Sequence, residues 1–384
     1  MTRTAPVLRA SLSPLADLDE LARQWRALEA QSQGSFFRSW DWLGALLHSL
    51  PADLPPPQVL RVHDESGQLV GLSLWWRGQQ RRHGFVHSRT LHLHETGQPA
   101  YDRITVEHNG LLARQGLEAA VLQATLAQLH ATPGWDELSL SGVPAADFAL
   151  WQQAAAALGL RPQLHWLKPY FFVDLAQVRG QHADYLEALS ANTRYQVRRA
   201  MRLQAQQGPL RCELADSTDQ ALAWLDELMA LHQAQWQAKG EPGAFGSEFT
   251  RRFHQQLVQT SAPERVWLTR LSAGTKLLGY LYNFQRDGVV YNYQAGHIHE
   301  SDAKLKPGLV CHALAIQHAL DNGAQVYDFM MGGGHFKSSL TNAQGDMAWA
   351  SIQRPRLRFR LEDWLRQQRQ RLKPAQPAPA AASS

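Results

Sequence analysis

Residues 266–337 contain three short apolar segments, VWLTRL (266–271), LLGYLYNF (277–284) and VVYNYQ (289–294). Each segment is rich in leucine, β-branched and aromatic residues, and glycine-containing turns separate them. This composition and spacing are typical of β-strands joined by tight hairpins. The three segments are therefore predicted to form an antiparallel meander.

A helix and a further strand follow the meander. After the tripeptide KPG (306–308), apolar residues recur at helical spacing over 309–322, and residues 326–331 resume an extended pattern that ends at three glycines. Meander, crossover helix and strand is the order found in α+β folds that transfer acyl groups, where the first turn of the helix holds a phosphate-bearing cofactor. The alternative for KPG is an ordinary loop in which proline sets the start of the helix.

Composition limits the classes of protein to consider. The chain has 384 residues, 44% apolar and 19% charged, which is typical of a folded protein of two domains. A net charge of +4 is too small to indicate a general nucleic-acid-binding protein. Cys212 and Cys311 lack the spacing of zinc ligands or of a disulfide framework, and the N-terminus lacks the apolar core of a signal peptide. We therefore expect a cytoplasmic protein.

The order of the elements occurs twice along the chain. A hairpin at 58–76, a helix at 115–130 and a strand at 137–141 repeat in the first half the order described for the second. The predicted units are an N-terminal domain at 1–168, a C-terminal domain at 169–355, a basic helix at 356–373 and a disordered tail at 374–384.

Two helices present polar faces that predict binding. In the helix after the capping sequence SANT (190–193), Arg194 and Arg198 lie four residues apart, and like charges at that spacing favour a bound phosphate. A solvated charged face is the alternative. In a later helix, His232 and Trp236 share a face and can line a substrate pocket. Here the alternative is a half-buried helix end with the tryptophan in the core.

The last strand of the second half carries a candidate for proton transfer. Asp328 lies within apolar residues, where a carboxylate needs a partner or a raised pKa. An ordinary carboxylate near the sheet edge is the alternative. His335 and Lys337 follow at the carboxyl end of this strand, where sheets with crossover helices bind ligands.

A metal site is not predicted. His92 and His94 fall on one strand face with Glu95 beside them, but spacing identifies no third ligand. The nucleophile elbow of hydrolases and the phosphate loop of nucleotide triphosphatases are also missing from the sequence.

The ordered motifs resemble a known family. SANTR (190–194), the segment 231–240, YNYQAG (291–296), KPG (306–308) and the segment 327–337 follow one another as in the CelD-type acetyltransferase-like family of the GNAT superfamily. The chain is also similar to the FemAB transferases, which carry two GNAT-like domains in tandem. The resemblance implies an α+β fold of two tandem GNAT-like domains, each with a mixed, mainly antiparallel sheet flanked by helices.

The resemblance implies transfer of an acyl group from acyl-CoA, such as acetyl-CoA, to an amine. The acceptor would be a small-molecule or glycan-linked amine in polysaccharide or envelope metabolism, without a metal or DNA. The residues expected to act in the reaction are Asp328 or His232 as proton acceptor and Lys337 as an electrostatic contact. The residues expected to bind the cofactor are Gln294, Gly296, Lys306, Gly308, Leu309, Arg194 and Arg198. The residues expected to bind the substrate are Trp236, Lys239, Tyr293 and His335.

Two other functions stay open at this point. The FemAB similarity allows an aminoacyl-tRNA donor, with the arginine helix meeting RNA. A non-catalytic ligand-binding module is the second alternative. The sequence also departs from the family pattern at Gly333 and Gly334, where acidic residues are usual, and at Phe336 and Leu340, where tyrosine and tryptophan are usual.

Overall fold

The structure is a computed structural model, and it describes residues 7–82, 86–332, 334–362 and 364. The elements of the first half are, in chain order, β1 (Arg9–Pro14), α1 (Leu18–Glu29), α2 (Trp40–Ser49), β2 (Gln58–His63), β3 (Leu69–Arg82), β4 (Val86–Leu93), β5 (Leu112–Ala113), α3 (Glu118–Ala131), β6 (Glu137–Pro144), α4 (Ala145–Ala157) and β7 (Arg161–Asp174).

The second half repeats the alternation of strands and helices. Its elements are, in chain order, α5 (Leu175–Gln181), α6 (Ala191–Gln204), β8 (Leu210–Leu214), α7 (Thr218–Gln237), α8 (Glu248–Thr260), β9 (Val266–Ala273), β10 (Lys276–Arg286), β11 (Val289–His297), α9 (Pro307–Asp321), β12 (Val326–Met331), α10 (His335–Ser339) and β13 (Ala343–Gln353). The predicted cap of α6 is present, since the Ser190 hydroxyl accepts a hydrogen bond from the Thr193 amide at 3.3 Å.

The described strands form one continuous sheet in the order β1-β2-β3-β4-β6-β13-β7-β12-β11-β10-β9-β8, and β5 pairs with β3. Each half supplies an antiparallel meander that ends in a parallel pair, β4 with β6 and β11 with β12. The crossover helices α3 and α9 connect the parallel strands, as parallel pairing requires. The predicted twofold occurrence of meander, helix and strand is confirmed.

The two halves exchange strands at the centre of the sheet. β7 follows the first half in sequence but pairs with β12 of the second half. β13 ends the second half but pairs with β6 of the first, and β7 and β13 pair with each other. The boundary predicted between residues 168 and 169 falls inside β7. A helix is described at 357–362, and the rest of the predicted basic helix, apart from residue 364, and the predicted tail at 374–384 lie outside the described residues.

A shared core also joins the halves. Helices α1 and α2 of the first half bury their apolar faces in the same cluster as α7 and α8 of the second. Trp42 contacts Phe253 with ring centroids 4.8 Å apart, and Phe36 stacks on Phe284 at 4.4 Å. On the opposite face α3 and α4 cover one half and α6 and α9 the other. Of the helices described, none combines the length and the apolar character needed to cross a bilayer.

Candidate functional site

A gap opens in the second half where β11 and β12 separate. The two strands pair in parallel only over Val289–Tyr291 and Val326–Asp328. Met330 then adopts a left-handed backbone angle, with φ of +61°, and the pairing of β12 with β7 shifts register there. A bulge of this kind bends the strand and redirects its side chains. The strand ends beyond it therefore splay apart.

A cleft of about 510 Å³ lies at this splay. Both halves build it, and the first half contributes Arg103, Thr105 and Glu107. The second half contributes His232, Trp236, Glu241, Pro242, Gly243, Ala244, Tyr293, Gln294, Phe329, Met330, Met331, Gly332 and Lys337. A concave site that combines apolar walls with a few converging polar groups is the usual form of a substrate pocket.

Glu107 is the buried acid of the cleft. Only 6% of its surface is exposed, and its Oε2 accepts a hydrogen bond from the Met331 amide at 2.7 Å. Burial raises the pKa of its carboxyl to about 7, and the neighbouring charge of Asp328 acts in the same direction. A carboxyl with this pKa exchanges protons at neutral pH, which is the property required of a general base.

Lys337 closes the carboxyl end of β12. Its Nζ donates to the carbonyl oxygens of Phe329 and Met331, each at 2.7 Å. Burial lowers the pKa of the ammonium, while the charges of Glu107 and Asp328 oppose that shift. The predicted electrostatic residue therefore lines the cleft, and it also fixes the end of the strand.

His232 lines the cleft and contacts the backbone on two sides. Its Nδ1 lies 3.2 Å from the carbonyl oxygen of Ala295, and its Nε2 accepts from the Ala244 amide at 3.2 Å. Burial lowers the pKa of the ring. Because both ring nitrogens have backbone partners, the contacts favour a role in positioning the loop at 241–244.

Asp328 lies behind the cleft. It is 2% exposed, its Oδ2 lies 2.8 Å from Nε2 of His108, and its Oδ1 accepts from the Met330 amide at 2.6 Å. The three residues that follow it line the cleft, whereas Asp328 itself does not. The pair of Asp328 and His108 therefore joins the two halves beside the site.

The predicted cofactor residues separate into three places. Gln294 lines the cleft, whereas Gly296 packs against α7, where a Cβ atom would lie 2.8 Å from the carbonyl oxygen of Leu228. Lys306, Gly308 and Leu309 form the start of α9, which has no side-chain cap among the described residues. Arg194 and Arg198 lie on α6.

The arginines of α6 do not join the start of α9. Lys306 Nζ donates to Oε1 of Gln196 at 2.7 Å, so Lys306 lies on the Gln196 side of α6. Arg194 and Arg198 are two residues away on either side, about half a turn around the helix. There they contact the Glu187 carbonyl oxygen at 3.2 Å and the Asp184 carboxylate at 3.6 Å, respectively.

The predicted substrate residues mostly meet at the cleft. Trp236 and Tyr293 line it, and Tyr293 donates its hydroxyl proton to the carbonyl oxygen of Ile104 in the first half. Lys239 places its Nζ 5.2 Å from the centroid of the Trp236 ring. The side chain of His335 lies outside the described part of the structure.

The corresponding gap in the first half is filled by the chain itself. β4 and β6 pair over Thr90–His92 and Glu137–Ser139. Beyond them the segment 105–110 enters the gap, and the Asn109 amide donates to the Gly142 carbonyl oxygen at 2.9 Å. This plug (residues 105–110) carries Glu107 into the cleft of the second half. Sequence analysis missed Glu107 because the plug has no periodicity and no motif.

His94 of the first half contacts the plug. His94 Nδ1 lies 3.0 Å from Oδ1 of Asn109 in the plug. The Glu95 carboxyl accepts a hydrogen bond from the Ser141 side chain, and burial raises the pKa of this carboxyl to about 8. Within the described residues no group of three or more His, Cys, Asp or Glu side chains is arranged to hold a metal ion.

Gly142 is expected to be essential for the plug. Its φ is +62°, and a Cβ atom there would lie 2.4 Å from the carbonyl oxygen of Val106. We expect Gly142→Ala to lower the free energy of unfolding by about 2 kcal/mol or more and to reduce activity, because Glu107 would move with the plug. Gly67→Ala is the matched control, since φ there is +82° but no atom lies within 4 Å. It should cost only about 1 kcal/mol. Equal losses of stability in chemical denaturation would contradict the role of the clash.

Comparison with known proteins agrees with this geometry. Residues 191–338 match the family model of the acetyltransferase (GNAT) domain. The match covers α6 to α10, including the splayed strands and the start of α9. Curated proteins give no significant match. The CelD-type relationship within the GNAT superfamily stays a prediction.

Solved structures show the same fold over nearly the whole chain. The crystal structure of FemX is similar with a TM-score of 0.58 at 10% identity, covering 92% of this chain and 99% of that one. The C-terminal domain of a putative lysylphosphatidylglycerol synthetase from Agrobacterium fabrum gives 0.54 at 11%, covering 88% and 93%. L-PGS from Bacillus licheniformis gives 0.50 at 12%, covering 90% and 96%. The predicted α+β fold of two tandem GNAT-like halves is confirmed.

Proposed function

We propose that the protein is an N-acyltransferase that transfers an acyl group from acyl-CoA to an amine bound in the cleft between its halves. The observation that carries the proposal is Glu107, a buried carboxyl with a pKa raised to about 7, at the splayed strands of a GNAT domain. Asp328 and His232 were the predicted bases. Both oxygens of Asp328 and both ring nitrogens of His232 have protein partners, whereas the hydrogen bond from the Met331 amide engages Oε2 of Glu107, which favours Glu107.

The donor fits the splay and the start of α9. Acyl-CoA supplies a thioester carbonyl, which an amine attacks to form an amide bond as the carbon–sulfur bond breaks. The first turn of α9 begins at Lys306 and Pro307 without a side-chain cap, and the positive end of the helix dipole there favours phosphate. Gln294 lies where a thioester would enter between β11 and β12.

The protein's own groups account for the proton and the charge. A neutral amine is the nucleophile, so Glu107 in its ionised form accepts the proton that the amine loses. Lys337 also lines the cleft, and its positive charge stabilises the negative charge that develops on the thioester oxygen and on the leaving sulfur. The thiolate that leaves takes a proton from water, and Glu107 returns the amine proton to the solvent, which regenerates the base.

The walls of the cleft suit an amine acceptor. Glu107 and Glu241 supply carboxylates, and Trp236 supplies an aromatic face, which together attract an ammonium group before it loses its proton. We propose a small-molecule or glycan-linked amine, as expected from the sequence resemblance to proteins of polysaccharide and envelope synthesis.

Donor binding and thiol release test the proposal. Calorimetric titration with acetyl-CoA should show a dissociation constant in the micromolar range, and a thiol reagent should detect free CoA only when an amine acceptor is added. A panel of amino sugars and small diamines serves as the acceptor set. Binding of charged tRNA without binding of acyl-CoA would replace the proposal with aminoacyl transfer, and binding of neither would leave a non-catalytic module.

A further inference from the structure

A short helix after β13 turns an apolar face away from the protein. The helix at 357–362 docks through Phe359, which is fully buried, and Glu362, which is 5% exposed. Leu357, Leu361 and Trp364 are 81%, 51% and 55% exposed. They follow one another at i, i+4 and i+7, so they form one side of the helix, which we call the outward face. Single exposed apolar residues are common, but a contiguous row of them marks an interaction site.

A basic cleft of about 700 Å³ adjoins the outward face at Leu357. Three guanidinium groups surround one carboxylate there, since Asp136 lies 3.1 Å from Arg89, 3.6 Å from Arg356 and 2.6 Å from Arg358. One carboxylate neutralises only one of these cations. The cleft therefore carries surplus positive charge and suits an anion.

The sequence around this helix adds to the charge. Residues 354–373 contain eight arginines and lysines against two acidic residues, a surplus of six in a chain whose net charge is only +4. The remaining chain is therefore slightly acidic. Positive charge beside an apolar helix face is the arrangement by which peripheral proteins bind anionic membranes.

We propose that the outward face and the basic cleft bind the surface of an anionic lipid bilayer. Leu357, Leu361 and Trp364 would enter the boundary between headgroups and acyl chains, and the arginines would contact lipid phosphates. Two of the three outward residues are leucines, whose side chains offer a nucleic acid neither stacking nor hydrogen bonds. A second copy of the chain would carry the same surplus of positive charge, so the two copies would repel each other at this surface. The proposal is independent of the proposed acyl transfer.

Vesicle flotation with the full chain tests this surface. Vesicles of phosphatidylcholine with about one third phosphatidylglycerol should bind the protein, and pure phosphatidylcholine vesicles should bind it at least 10-fold more weakly. Binding to the anionic vesicles should fall as salt rises, because the arginine contacts are screened. The double variant Leu357→Ser/Leu361→Ser should lose binding by at least 10-fold, since two leucines no longer enter the lipid.

Controls separate lipid binding from misfolding and from other partners. Leu150→Ser changes an exposed leucine of α4, 38% exposed, and should leave binding unchanged. Thermal melting should be the same for all three proteins, because the replaced side chains are exposed. Failure of the unaltered protein to bind anionic vesicles, or equal binding by the double variant, would overturn the proposal. The proposal would also be overturned if the double variant lost self-association or RNA binding but still bound lipid.

Discussion

Glu107→Gln is expected to lower the turnover number about 100-fold or more while the affinity for acyl-CoA stays the same. Glutamine keeps the shape of the side chain and can still accept the hydrogen bond from the Met331 amide, which spans 2.7 Å. It cannot accept a proton, and general base catalysis usually contributes factors of about 100 to 10,000. Steady-state kinetics with thiol detection, together with acyl-CoA titration, measures both quantities.

The pH profile gives a second readout of the same residue. The pKa of Glu107 is raised to about 7, so the ionised base is scarce at pH 6 and abundant at pH 8. The unaltered enzyme should therefore gain activity as pH rises through about 7, and the glutamine variant should lose this rise. Because the folded protein disfavours the charged form, ionisation of Glu107 weakens the fold as pH rises from the usual carboxyl range through 7. The variant should then be at least as stable as the original at pH 8.

Asp328→Asn is the matched control for this prediction. It removes a carboxylate that lies 2.8 Å from Nε2 of His108 and accepts a hydrogen bond from the Met330 amide. We therefore expect lower stability and a smaller loss of turnover than for Glu107→Gln. If Asp328 were the base, the two variants would exchange phenotypes. A Glu107→Gln enzyme with normal turnover would remove Glu107 from the mechanism.

Arg286→Met is expected to cost about 3 kcal/mol in the free energy of unfolding. The Arg286 side chain is 4% exposed and lies 3.3 Å from Glu29 of the first half, and its Nε lies 3.3 Å from Asp287. Glu29 also binds Arg265 at 2.7 Å. Removing Arg286 leaves the buried Glu29 with Arg265 as its partner, so we expect a loss at the low end of the about 3 to 5 kcal/mol typical of a broken buried ion pair. Urea unfolding followed by intrinsic fluorescence measures the loss.

Arg270→Met supplies the control for charge alone. Arg270 pairs with Glu213 at 3.2 Å, but both side chains are partly exposed, and such surface pairs contribute about 0 to 1 kcal/mol. A loss for Arg286→Met no larger than that for Arg270→Met would show that the cluster between the halves adds little. Since the halves share a sheet and a core, both variants should still unfold in a single transition.

Local sequence patterns specify the strands and helices and their order. Alternating apolar strands, glycine turns and the cap at Ser190 depend on neighbours within a few residues, and the structure has the predicted meanders and crossover helices. The tripeptide at 306–308 also indicated the start of α9. These features are encoded locally, so patterns of period two and 3.6 reveal them.

The way in which the halves combine, and the identity of the acid that faces the cleft, depend on long-range packing. The exchange of β7 and β13 joins strands that are nearly two hundred residues apart, and no local pattern specifies that pairing. Glu107 occurs in a segment without periodicity, and it becomes a candidate base only because the plug carries it from the first half to Met331 of the second. Its raised pKa is a consequence of burial, and burial depends on long-range packing. The same reason separates Arg194 and Arg198 from Lys306, because the sequence gives the face of a helix but not the neighbour that the face meets.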